Sequence, residues 1–391
     1  MRLAILLSAG TLIFALVGCS NEAKVVSDSV AGKSKSSRKP TRADIQQVKD
    51  EGESNLPVVH SIREEYINPI PSLRFREIQD EVSNDIPDPW PKKMAEENLF
   101  CDVSRLTLEG VPSSVRFQTD KLIQAGSYGV RVFPSRDMVD GHLLVAKTVR
   151  LDYKTRVLDV LKEKAVLLSL PPGIAPRVYI PRGLSPLCSL GLIVMENVGS
   201  KMIKDAIAIL IKNRWELVRS AVRGLELLRN LHDQGFVHGD LHGGNIIYSD
   251  EGSISETLRL IDFERAEVFV SPEGLHVEET RKEYCNGFRA EALSPFELDG
   301  WFKTRRDDIF RLAEMLILPF VENSFPKWEG FMSIEENREI YSKFKKEREL
   351  SNRIPPVFRD FYRYSLNLGF SERPDYEYWS IRFLSEYSND F

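Results

Sequence analysis

The sequence predicts an α+β fold of two lobes, a small β-rich N-lobe followed by a larger helical C-lobe. Three observations carry this expectation. Short apolar runs broken by turn residues crowd positions 116–196, and apolar residues at helical spacing dominate 197–391. Within the second stretch lies a dense polar motif, His238-Gly-Asp240-Leu-His242-Gly-Gly-Asn245, followed by Leu260-Ile-Asp262-Phe-Glu264. Apolar runs at Ile246 and Ile247, and at Leu258, Leu260 and Ile261, read as short strands that set these polar groups at strand edges in a cleft.

The chain of 391 residues has room for one two-lobed domain plus extensions. Residues 1–19 carry Arg2, an apolar run and then small residues, the pattern of a secretory signal peptide. The run is too short to span a bilayer, so no transmembrane segment is expected there. Leu16-Val-Gly-Cys19 also fits a lipoprotein cleavage pattern, with a lipid anchor at Cys19 as the lesser alternative to a secreted or secretory-pathway product. Residues 20–55 are polar and free of aromatics, and they carry Lys33, Lys35, Arg38, Lys39 and Arg42; they read as a disordered basic linker. Residues 56–115, with Pro87, Pro89 and Pro91 around Trp90, read as an N-terminal extension packed on the main domain.

In the expected N-lobe, 116–196, residues 121–132 read as strand, glycine turn, strand. The turn holds Gly126, Ser127, Tyr128 and Gly129, where small residues let backbone amides approach phosphate oxygens. A strand over 142–149 embeds Lys147 among apolar neighbours, and an unpaired buried ammonium is expensive, so Lys147 needs a partner. Glu163, on the helix expected over 157–170, supplies that partner. The run 192–195 is a buried strand ending at Glu196.

The expected C-lobe, 197–391, opens with a strong amphipathic helix over 215–234. Val218, Val222, Leu225, Leu228 and Leu231 form its stripe. A further apolar helix is expected over 309–320. Cysteine offers no stapled scaffold: Cys101, Cys188 and Cys285 are widely spaced, and buried free thiols are expected. The net charge of -5 lacks the basic surplus of a nucleic-acid binder, so no nucleic-acid partner is expected.

The motif suits phosphoryl transfer, which asks little of side chains beyond a carboxylate to orient the acceptor and oxygen ligands for magnesium. Asp240 is the candidate base, and Asn245 and Asp262 are the candidate metal ligands. His238 reads as a core histidine bonded to backbone. His242, two residues past the base, is either a cation facing the transferred group or a loop-packing residue.

Lysine, helical glutamate, catalytic loop and metal-binding aspartate in this order resemble the protein kinase superfamily, over residues 116–387. Within that span Thr304-Arg305-Arg306-Asp307-Asp308, Phe325-Pro326-Lys-Trp328 and Gly369-Phe-Ser-Glu-Arg373-Pro374-Asp375-Tyr376 resemble the casein-kinase-one group. The resemblance implies a bilobal protein-kinase-like fold, ATP and Mg2+ as cofactors, and a Lys147–Glu163 pair anchoring the phosphates. It makes Met195 the gatekeeper, with Glu196 and Val198 on the backbone that holds adenine. It also sets Asp308 beneath the catalytic loop and leaves Glu297, in the loosened motif Ser294-Pro295-Phe-Glu297, available to Arg373.

Several positions depart from the family pattern. Gln124 and Arg131 replace a glycine and a valine around the glycine turn. Gly239 replaces the arginine that grips a segment phosphate, so activity should not require such phosphorylation. His242 replaces a lysine, and Glu264 replaces a glycine whose loss removes a hinge. The catalytic loop and Ile-Asp-Phe-Glu are also similar to aminoglycoside phosphotransferases and choline kinases. The expected function is an ATP-dependent protein kinase acting on Ser/Thr hydroxyls of a protein substrate. The alternatives are a small-molecule kinase and a pseudokinase scaffold.

Overall fold

A computed structural model of the chain describes residues 114–118, 121–125, 130–150, 154–180, 184–185, 190–271, 273–280, 292–321, 326–346 and 352–388. The expected leader, the basic linker, all but the last two residues of the extension, the glycine turn 126–129 and all four cysteines lie outside the described residues. Everything described belongs to one unit, 51–391.

The first lobe is an antiparallel sheet with one helix against it. Its elements are β1 (Val115–Phe117), β2 (Gln124–Ala125), β3 (Arg131–Asp137), β4 (Leu143–Arg150), α1 (Lys154–Ser169), β5 (Val178–Ile180), β6 (Leu184–Ser185) and β7 (Leu190–Glu196). Strand order is β1-β3-β4-β7-β5, with β2 paired to β3 and β6 to β7. Alternation along β4 decides what each face does. Leu144 and Ala146 pack with Leu192, Val194 and Val115 on one face. Val145 and Val149 point the other way into the main core, and the two-residue period puts Lys147 between them on that face. The helix α1 starts a few residues before the expected 157 and buries Val160, Glu163 and Val166.

The second lobe is helical. It runs β8 (Lys201–Met202), α2 (Ile203–Lys212), α3 (Arg214–His232), β9 (Phe236–Val237), β10 (Ile246–Tyr248), α4 (Ile254–Thr257), β11 (Arg259–Leu260), β12 (Glu267–Val268), α5 (Pro295–Leu298), α6 (Arg305–Ile317), α7 (Ile334–Lys346), α8 (Pro356–Asn367) and α9 (Tyr376–Ser388). Asn213 caps α3 by accepting from the Glu216 amide, and of the expected stripe Val218, Leu225, Leu228 and Leu231 are buried while Val222 is partly buried. No helix among the described residues is long and apolar enough to cross a membrane.

The helix α6 starts within the Thr304–Asp308 motif, ahead of the apolar run expected over 309–320, and ends before that run does. It begins at Arg305, and its first turn is buried although every residue in it is charged. Each charge has a partner or platform. The Arg305 guanidinium donates to Ser371 O at 2.7 Å, and Arg306 lies 4.1 Å over the Phe296 ring. Asp307 accepts from the Thr304 amide at 2.8 Å, closing the helix start. The α-helix stops at Ile317 and a 3-10 turn, Leu318–Phe320, follows, because Pro319 has no amide to continue the ladder.

One expected pairing is not formed. Glu297 faces Lys303, with Oε1 3.4 Å from the ammonium, while Arg373 reaches Asp233 at 3.5 Å and Glu377 at 4.0 Å. The cause is local. Ser294 caps α5, and its amide donates to Glu297 Oε2, which turns the Glu297 side chain back on its own helix start.

Candidate active site

The base of the site is one buried carboxylate. Asp308, on the first turn of α6, accepts the amide hydrogens of His238 at 2.7 Å and Gly239 at 3.0 Å. His232, at the end of α3, meets the same carboxylate at 3.0 Å and reaches the Tyr376 hydroxyl through Nδ1 at 2.6 Å. Burial opposes the charge on Asp308, but His232 and His238, the latter through its amide as well, outweigh it and hold its pKa below the ordinary value. Burial pushes the His232 pKa down, so the neutral ring donates from Nε2 to Asp308 and accepts from Tyr376 at Nδ1. Two of the three fragments resembling casein kinase one, those holding Asp308 and Tyr376, therefore meet under the catalytic loop.

His238 is a core residue. Nδ1 accepts from the Asp240 amide at 3.3 Å, and Nε2 donates to Ile261 O at 3.1 Å, tying the loop to the strand that precedes Asp262. The register Ile246↔Leu260 of β10 and β11 does the same from the backbone, and the Ile261 amide donates to Asn245 O at 3.0 Å. The two motifs thus place Asn245 and Asp262 side by side. The Asn245 side chain donates to Asp240 O at 2.9 Å, which leaves its amide oxygen as the acceptor end. Asp262 has φ +67°, a left-handed conformation that no other described non-glycine residue takes.

Lys147 sits among three acids. Its Nζ lies 2.8 Å from Glu163 Oε2, 2.9 Å from Asp262 Oδ1 and 2.9 Å from Glu264 Oε1. Burial pulls against the ammonium, yet the carboxylates outweigh it and hold the Lys147 pKa well above the usual lysine value. Burial, acting against the attraction of Lys147, pushes the Glu163 carboxyl up to about 7. For Asp262 the balance is reversed: burial opposes the charge, but Lys147 wins and the pKa is lowered. Carboxylate oxygens of Glu163, Asp262 and Glu264 lie within 4.8 Å of one another around the Lys147 ammonium, and of these acids Asp262, with the Asn245 amide oxygen near it, offers hard oxygens of the kind that suit Mg2+.

At the junction of the lobes, Met195 pairs across to Val145 and Val178 and is buried. The Glu196 amide donates to Arg177 O at 2.9 Å and the Asn197 amide to Leu143 O at 3.1 Å. The Val198 amide takes no hydrogen bond among the described residues, so it is the backbone donor here that can meet the edge of a planar base. Gly126, Ser127, Tyr128 and Gly129 lie outside the described residues.

Two roles were open for His242, and its surroundings separate them. Nδ1 accepts from the Gly244 amide at 2.9 Å, and burial holds its pKa below the ordinary histidine value. With Nδ1 accepting from the loop, Nε2 is the nitrogen left to carry an outward N–H, an arrangement that suits the loop-packing role of His242.

Sequence reasoning missed three positions. Arg265 donates to Asp240 Oδ1 at 3.2 Å. Lys303 donates to Gly239 O at 2.7 Å. Arg311 donates to Leu241 O at 3.1 Å, fixing the loop from α6. Arg265 directly follows Glu264, so its place beside the motif was visible; the other two approach from distant sequence and left no signal.

Comparison with known proteins finds similarity to kinase-like proteins. The model of the ABC1 atypical kinase-like domain matches residues 170–270. The chain is 24% identical over 271 residues to a probable casein kinase I homolog of Encephalitozoon cuniculi, covering 66% of this chain and 85% of that protein. It is 26% identical over 268 residues to a probable serine/threonine-protein kinase of Dictyostelium discoideum, covering 67% of this chain but only 51% of the relative. It is 32% identical over 122 residues to the probable protein kinase UbiB of Pectobacterium carotovorum, covering 30% of this chain and 22% of the relative.

Proposed function

We propose that this chain, a distant member of the protein-kinase-like superfamily, transfers the γ-phosphoryl group of Mg·ATP to Ser/Thr hydroxyls of a protein. The observation that carries the reading is the Lys147 cluster. One ammonium holds Glu163 from α1 and Asp262 from beyond β11, while the β10–β11 register sets Asn245 beside Asp262.

In this reading Lys147 binds the α- and β-phosphates, Asn245 and Asp262 hold magnesium, and the Val198 amide meets adenine. Bound magnesium neutralises the triphosphate charge that would otherwise repel an incoming oxygen. Asp240 orients the acceptor hydroxyl and takes its proton. The hydroxyl oxygen bonds to the γ-phosphorus as the bond to the β,γ-bridging oxygen breaks, its electron pair staying on ADP. The casein kinase I and serine/threonine kinase relatives support a protein acceptor. Export is part of the proposal and rests on the leader pattern of residues 1–19 alone.

A second reading, a small-molecule kinase, is favoured by the ABC1 match, which spans the catalytic loop and Ile-Asp-Phe-Glu but none of the C-terminal segments. Labelled ATP offered with acidic proteins, basic proteins, choline and amino-sugars separates the two. Label on serine or threonine of a protein supports the first, label on a small molecule alone supports the second, and no ATP consumption contradicts both.

A further inference from the structure

Kinase-like catalytic loops of the Ser/Thr type carry a lysine two residues past the base, and here that residue is His242. Its Nδ1 accepts from the Gly244 amide, which commits that nitrogen to the loop rather than to a charge facing the base. Among the neighbouring lysines, Lys204 packs against Gly243 and Gly244, and two others are engaged elsewhere. Lys147 is surrounded by Glu163, Asp262 and Glu264, and Lys303 serves Gly239 O and Glu297. Among the described residues, the cation paired with Asp240 is Arg265, its guanidinium 3.2 Å from Oδ1, with side-chain exposures of 23% and 20%.

A second, independent observation fixes Arg265 there. Gly239 has φ +70°, and a Cβ on it would stand 2.4 Å from the Arg265 carbonyl oxygen. Any other residue at 239 would push the Arg265 backbone away from the catalytic loop. The glycine in place of the usual arginine is therefore what lets the segment after Asp262 press against the loop and bring its own arginine to the base. Two departures from the family pattern, Gly239 and His242, share one explanation.

We propose that Arg265 is a positioning residue for phosphoryl transfer: it fixes the Asp240 carboxylate toward the acceptor hydroxyl and supplies the positive charge that lysine gives at position 242 in other Ser/Thr-type loops. The inference rests on the kinase reading above. The guanidinium holds one Asp240 oxygen, leaving Oδ2 to take the acceptor proton, and its charge lies beside a group whose negative charge spreads during transfer.

The test compares wild type, Arg265→Met, Arg265→Lys and the double variant His242→Lys/Arg265→Met, measuring kcat, KM for ATP and thermal midpoint. Arg265→Met is expected to lower kcat about 100-fold, the scale of one lost transition-state donor, with KM for ATP within about threefold. Arg265→Lys should recover part of the loss, and the double variant at least about tenfold, since lysine at 242 restores charge beside the base. A purely structural role would respond to neither lysine. Arg265→Met with kcat within about threefold of wild type, or a loss that neither lysine relieves in proteins that melt like wild type, overturns the inference. Should Arg265→Met fail to fold, the comparison of Arg265→Lys with His242→Lys/Arg265→Lys decides on the same criterion. Turnover that ignores Arg265 overturns this inference alone, whereas a wild type that never consumes Mg·ATP overturns the kinase reading with it.

Discussion

The Lys303 ammonium donates to the Gly239 carbonyl at 2.7 Å, reaching the catalytic loop from just before α6. It also stands 3.4 Å from Glu297 at the start of α5, and both side chains are buried. A built-in cation thus links the loop to the α5 region without a phosphate. Wild-type turnover should be unchanged by phosphatase treatment. Lys303→Met should destabilise the fold by about 3 kcal/mol, because it strands the buried Glu297 charge. Denaturant midpoints check the second claim; a midpoint equal to wild type would remove the link.

Lys147 is one positive charge held by three carboxylates. Its replacement in Lys147→Met removes the phosphate contact and leaves Glu163, Asp262 and Glu264 to repel one another. Turnover should fall at least about 100-fold. Steady-state kinetics read this directly, and activity near wild type would break the assignment of Lys147 to the phosphates.

Burial pushes Asp307 up to about 7 from an ordinary 3.8. A carboxyl raised in the folded state binds its proton more tightly there than in the unfolded chain. Its contribution to stability is full below pH 3.8 and is lost as pH rises through about 7. Glu163, also raised to about 7, acts in the same direction. The stability difference between Asp307→Asn and wild type should therefore shift in favour of the variant from pH 4 to pH 7. Unfolding curves across that range measure it, and a constant difference would contradict the burial argument.

The fold was legible where period and partner agreed. The stripe of α3 and the two faces of β4 follow from spacing alone, and an ammonium in an apolar strand announced that Glu163 must meet it. The first turn of α6 was less legible. Spacing does not report what surrounds four consecutive charges, and the rings of Phe296 and Phe269, the Ser371 carbonyl and the loop amides explain their burial. The Glu297–Arg373 expectation failed because a local cap outcompeted a distant pair. Glu264 read as a lost hinge, whereas its side chain is the third acid on Lys147. Neither sequence distance nor residue type reports which carboxylates share one cation.

Equilibrium binding of Mg·ATP to wild type and to Asp262→Asn tests the central claim most directly, that Lys147, Asn245 and Asp262 form one nucleotide–metal site. The account predicts saturable binding by wild type that needs magnesium, and a steeply raised magnesium requirement in Asp262→Asn. No affinity of wild type for Mg·ATP, or a metal titration identical in the two proteins, would contradict it.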